Sequence, residues 1–140
     1  MIKPKVVLDT NIYLSAIIFG GLPKKVLQLG FEEKISVFIS SAVLLEIALK
    51  FKEKFGWDEA RIISAIRSIN QLAKIVKPQK KINLIKKDSS DNKIIELAAE
   101  AKADFIITGD RHLLELKKFL RTKIVSPADF YLQFLKSSKS

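Results

Sequence analysis

The chain of 140 residues contains no cysteine. This excludes a disulfide framework and a thiolate metal site. No apolar run reaches the roughly 18 residues that would span a membrane, so no membrane partner is expected. The basic N-terminus, Met1-Ile2-Lys3-Pro4-Lys5, is followed by apolar residues that Asp9 and Asn11 interrupt, which argues against a signal peptide. A cytoplasmic location is therefore expected. There is no low-complexity tract, internal repeat or linker composition, which predicts a single domain over residues 1–136 with a frayed tail at 137–140. Gly20-Gly21 is not followed by Gly-Lys-Ser/Thr, so it is not a phosphate-binding loop, and it is too short for a dinucleotide fingerprint. Acids are few, 15 against 25 Lys and Arg, and the net charge of +10 favours a polyanionic partner, with nucleic acid first.

What the sequence does contain starts at Val6-Val7-Leu8-Asp9-Thr10-Asn11. A short unbroken apolar run reads as a strand buried on both faces of a parallel sheet. Asp9 then stands at its carboxyl end, where open α/β sheets bind their ligands. Asn11 is the predicted cap of the helix carrying Ile12, Ala16 and Phe19. Gly20 and Gly21 end that helix, and a short second one is predicted over Lys24 to Glu33. Ile35 to Ile39 is the second strand. Ser40 or Ser41 can cap a third helix, Ala42 to Lys54, whose apolar opening predicts burial nearly all round.

Glu46 is the one acid in that opening. It lies either on an exposed stripe, paired with Lys50 one turn on, or in a polar cavity; the helix alone leaves both open. Gly56 and Asp58 mark a stop and a new cap, and the apolar period from Ile62 to Val76 predicts a long amphipathic helix. Trp57 either stacks on a base or packs. Lys77 to Lys87 is basic and irregular, an edge strand or a loop, and its lysines are solvated or meet phosphate. Asp88 and Asp91 open a helix through Ala101, as cap and first-turn acid or as site residues. Phe105 to Thr108 is a strand ending in Gly109-Asp110, which repeats the design of the first. A helix over Arg111 to Phe119, a strand over Thr122 to Val125 and a terminal helix complete the chain.

The alternation of strands and helices indicates a parallel sheet with right-handed crossovers. All strand ends then share one edge, which brings Asp9, Asp110 and the start of the Asp91 helix together. Clustered carboxylates repel unless a divalent cation sits among them, and oxygen donors select Mg²⁺ or Mn²⁺. In a basic protein such a cluster needs a metal to bridge it to phosphate, which is the layout of a metal-dependent phosphodiesterase.

With these residues in place the chain resembles the PIN-domain family, and within it the prokaryotic toxin-type proteins of toxin–antitoxin systems. The resemblance covers nearly the whole chain. It rests on Leu8-Asp9-Thr10-Asn11, Glu46 in its apolar helix, Asp91-Asn92-Lys93-Ile94-Ile95 and Thr108-Gly109-Asp110. Ser15-Ala16-Ile17-Ile18-Phe19-Gly20-Gly21 and Ser126-Pro127 also look like the toxin-type subgroup. It implies a three-layer α/β/α sandwich with a parallel sheet of about five strands. It implies catalytic acids and metal ligands at Asp9, Glu46, Asp91 and Asp110, which hold one or two Mg²⁺ or Mn²⁺ ions and cut RNA. Asn11 and Thr108 match supporting positions, and Asp88 a less constant acid. Dimer formation and silencing by a cognate antitoxin are further expectations from the resemblance. Arg111 and Lys93, close to Asp110 and Asp91, are the candidate substrate contacts. His112, the one histidine, is assigned a surface or capping role, since a metal-activated water needs no imidazole base.

Two other readings use the same features. One is a catalytically silent RNA-binding or scaffold protein on the same fold. The other is a phosphotransfer protein of receiver or Asp-phosphatase type. The second lacks the Asp-x-Asp of the phosphatases, because Asn11 stands in the second place, and no receiver-like strand Asp and Lys pair stands out.

Overall fold

The computed structural model describes residues 3–82 and 89–138. Asp88 and the Asn83–Ile85 part of the predicted edge run lie outside the described residues. Val6, Val7 and Leu8 are fully buried in β1 (Lys5–Leu8), as a strand covered on both faces requires. β1 is central. It pairs in parallel with β2 (Ser36–Ile39) on one side and β4 (Phe105–Ile107) on the other. The outer strands are β3 (Ala73–Ile75) beside β2 and β6 (Thr122–Val125) beside β4, both parallel. A two-residue antiparallel strand, β5 (Lys118–Phe119), closes the β6 edge. The six-stranded order is β3-β2-β1-β4-β6-β5. The expected five parallel strands are present, and the sixth is the short antiparallel addition.

From β1 the chain moves outward to β2 and β3 through α1 (Thr10–Ile18), α2 (Gly21–Phe31), α3 (Ser41–Phe55) and α4 (Glu59–Leu72). It then returns through α5 (Ser89–Ala101) to β4, on the other side of β1, and continues through α6 (Arg111–Leu116) to β6 and α7 (Pro127–Ser138). Right-handed crossovers running in opposite directions put their helices on opposite faces of a sheet. The reversal falls between β1 and β4, the switch point where such sheets open a crevice. No single helix among the described residues is long and apolar enough to cross a membrane.

Three expectations need correction. The amphipathic period continues to Val76, but α4 stops at Leu72 and the next three residues pair with β2 as β3. The predicted helix Arg111–Phe119 stops at Leu116. Lys117 takes a left-handed φ of 63° and turns the chain into β5. α3 is not buried nearly all round: Val43, Ile47 and Phe51 face the core, while Leu45 is 61% exposed.

α3 is otherwise bounded as its sequence dictates. The Ser40 side chain accepts the Val43 N–H, and Gly56 ends the helix at φ 63°, a conformation that costs glycine little. Trp57 then folds back on Phe51, rings parallel at 4.0 Å, and the Arg61 guanidinium lies 3.8 Å from the indole centroid. Two groups so close to one ring cannot share a face. Both faces of Trp57 are therefore taken, and it packs.

Candidate active site

Asp9 extends the β1–β4 ladder by one residue, its N–H donating to the Ile107 carbonyl at 3.1 Å. Thr108 does the same on β4, donating to the Val125 carbonyl at 3.0 Å. With Leu8 registered on Ile107, Asp9 and Thr108 stand side by side and project to one face. The Thr108 hydroxyl donates to Asp9 Oδ2. Its oxygen in turn accepts the Asp110 N–H at 2.9 Å. The buried threonine thus ties the two strand ends together.

Each strand-end acid also starts the helix after it. Asp9 Oδ1 accepts the Asn11 N–H at 2.7 Å and caps α1. This corrects the assignment of Asn11 as the cap: Asn11 supplies the N–H. Asp110 Oδ1 accepts the His112 N–H at 2.7 Å and caps α6. A carboxylate oxygen has two lone pairs, so capping leaves acceptor capacity on both acids. His112 is exposed, and its contribution here is the backbone donor to Asp110.

Glu46 enters from α3 and Asp91 from the first turn of α5. Asp9, Glu46, Asp91 and Asp110 line one cleft of about 50 Å³, together with Asn11 and Lys50 among others. The two readings of Glu46 meet in this geometry. Lys50 Nζ lies 3.4 Å from Glu46 Oε1, and Lys50 and Glu46 both line the cleft. Lys50 Nζ also donates to Asn11 Oδ1 at 3.5 Å. From the sequence, Lys50 is expected only as a surface partner of Glu46. The i,i+4 spacing was the available signal, and its place in the cleft depends on how α3 packs against α1.

The electrostatics centre on Asp9, which is 6% exposed. Burial pushes its carboxyl above the ordinary value of 3.8; the Thr108 hydroxyl and the backbone N–H groups of Asn11 and Ile12 pull it back, and the Asp110 charge raises it further. The protein therefore disfavours ionising an acid that it also holds rigidly. A cation in the cleft would reverse that balance. The cleft offers carboxylates and no thiol or imidazole, hard oxygen donors that suit Mg²⁺ or Mn²⁺ in kind. Among the described residues, no group of three or more His, Asp or Glu side chains is gathered closely enough to hold an ion. The cation beside Glu46 is the Lys50 ammonium.

Two predicted substrate contacts do not line this cleft. Arg111 is exposed at the start of α6, its Nε 3.7 Å from Glu115 Oε1. Lys93 lines a neighbouring groove.

An uncharacterised protein of Methanocaldococcus jannaschii is 38% identical over 148 residues, covering 96% of this chain and 94% of that protein. Among solved structures, the VapBC2 complex of Rickettsia felis, bound to a DNA fragment from its promoter, contains a chain of similar fold. The TM-score is 0.65 at 17% identity, over 87% of this chain and 98% of that one. At that identity the likeness concerns the fold alone. The PIN domain profile matches residues 5–112. That span takes in Asp9, Glu46, Asp91 and Asp110 alike, and on it the chain belongs to the PIN domain family.

Proposed function

We propose that the protein is a Mg²⁺- or Mn²⁺-dependent endoribonuclease, the toxin of a toxin–antitoxin pair. The observation that carries this reading is the cleft itself, where acids from four separate segments line about 50 Å³ at the sheet's switch point. Without an ion these acids share the cleft but do not close on one point; an ion would draw in Asp9 and Asp110 as its principal holders, with Asp91 and Glu46 binding it directly or through water. When bound, the ion would offset the charge that builds on the phosphodiester and favour deprotonation of an attacking water. Thr108 fixes the Asp9 carboxylate toward the cleft, and the backbone N–H groups of Asn11 and His112 fix both strand-end acids. Asn11 holds Lys50, which offsets the charge of Glu46.

The net charge of +10 supports a nucleic acid substrate. The toxin role rests on the toxin-type motifs at Ser15 to Gly21 and Ser126-Pro127, and the fold is one that a chain of the VapBC2 complex also adopts. A cognate antitoxin and a second copy of this chain are the protein partners proposed on the same grounds. Purified protein free of any antitoxin is expected to cut labelled single-stranded RNA with Mg²⁺ or Mn²⁺. It is expected to lose that activity in EDTA and regain it when Mn²⁺ is restored. Failure to cut with either ion, or cutting indifferent to EDTA, would sink the proposal.

A further inference from the structure

A second depression adjoins the acid cleft. Lys77, Lys80, Lys81 and Lys93 rim a groove of about 540 Å³, with Ile75 and Val76 among its apolar lining. Groove and cleft share two helices. On α3, Ala42 borders the groove and Glu46 borders the cleft; on α5, Lys93 borders the groove and Asp91 the cleft. Four residues of helix advance about 6 Å, so the groove begins one turn from the acids.

The lysine-bearing segment is held by hydrogen bonds to α5. The Gln79 N–H donates to Glu100 Oε1 at 2.9 Å, and the Ile82 N–H donates to Glu96 Oε2 at 2.8 Å. These two carboxylates hold backbone. Among the described residues, none of the four lysines forms an ion pair. Fixing four cations along one groove costs electrostatic energy that a polyanion would return. The basic rim fits a backbone of phosphates, as a positively charged groove tracks a single strand, and Ile75 and Val76 offer the bases apolar contact in place of aromatic stacking. An acidic peptide or an anionic membrane would meet the lysines too. Neither would have cause to continue into a cleft of carboxylates.

We infer that this groove binds the single-stranded RNA leading into or out of the acid cleft, with Lys77, Lys80, Lys81 and Lys93 on its phosphates. The inference rests on the ribonuclease reading, and its test separates the two. Binding of a fluorescent single-stranded RNA to the full chain is measured by anisotropy in EDTA, where no cleavage is expected, across a salt series. The K77Q/K80Q/K81Q protein is expected to bind at least about tenfold more weakly. Its log–log salt slope should be shallower by about 2, at about 0.7 for each lost phosphate contact. Lys93→Gln, a single change on an exposed helix position, should lower the slope by about 0.7. K118Q/K123Q/K136Q removes the same charge outside the groove and should bind almost as wild type.

The inference is overturned if the groove variants keep wild-type affinity and slope. Equal losses in the two triple variants would overturn it too, as would wild-type protein that binds phosphatidylserine vesicles but not RNA. RNA held through the groove yet never cut with Mg²⁺ or Mn²⁺ would support the groove and defeat the ribonuclease reading.

Discussion

Asp9→Asn is expected to slow Mg²⁺-dependent RNA cleavage by about 10³-fold or more, while the ion-free protein stays at least as stable as wild type. The two effects share one cause. Asp9 is buried beside Asp110, and burial raises its pKa. A group whose folded pKa lies above its unfolded value favours folding most when protonated; that advantage is lost as pH rises through the folded pKa. At neutral pH the ionised Asp9 is thus a liability in the ion-free fold. Asparagine removes the charge, keeps a side-chain oxygen for the Asn11 N–H that caps α1, and offers its amide N–H₂ to the Thr108 oxygen, so that the hydroxyl turns from donor to acceptor at this contact. The cost falls on function, because a neutral amide is a poor ligand for a hard dication. Thermal denaturation checks the pairing. Mg²⁺ should raise the melting temperature of wild type, since a ligand bound only by the native state stabilises it, and leave Asp9→Asn unmoved. Cleavage by Asp9→Asn at the wild-type rate would show that the acid plays no part in hydrolysis.

Thr108→Val should move the acid limb of the pH–rate profile upward by about one to two pH units. Valine matches threonine in shape and lacks the hydroxyl that donates to Asp9 Oδ2 and accepts the Asp110 N–H. A hydrogen bond to a charged group contributes about 1.5–3 kcal/mol, and one pKa unit corresponds to about 1.4 kcal/mol. Losing the donor raises an Asp9 pKa that burial has already raised, so a higher pH is needed to reach the carboxylate. The same logic fixes the sign for stability. Wild type and variant should differ least at low pH, where Asp9 is protonated in both, and diverge as pH rises through the raised folded pKa of wild-type Asp9. Urea denaturation across that range reads the divergence. A parallel offset at every pH would mean that Thr108 only packs.

Much of this was legible because it is local. Val6-Val7-Leu8-Asp9 and Phe105-Ile106-Ile107-Thr108 each state a buried strand and its polar end, and the parallel rule brings those ends to one edge. What stayed illegible depends on contacts remote in sequence. β3 continues the apolar period of α4, and only pairing with β2 makes it a strand. β5 begins after Lys117 in a left-handed conformation that lysine does not advertise. Leu45 reads as core because composition cannot say which side of a helix its neighbours leave open. The cap of α1 fell on Asp9 rather than Asn11, both good capping residues two positions apart. Glu46 could be suspected from its isolation among apolar residues, but its meeting with Asp9 across Lys50 and Asn11 is set by helix packing alone.

The strand-end acids are proposed to gather a divalent ion. Crystals soaked in Mn²⁺ and measured for anomalous scattering would test it most directly. The predicted result is a manganese peak in the cleft within bonding distance of Asp9 and Asp110, absent from Asp9→Asn crystals treated alike. A peak seated away from Asp9, or an equal peak in the variant, would contradict it.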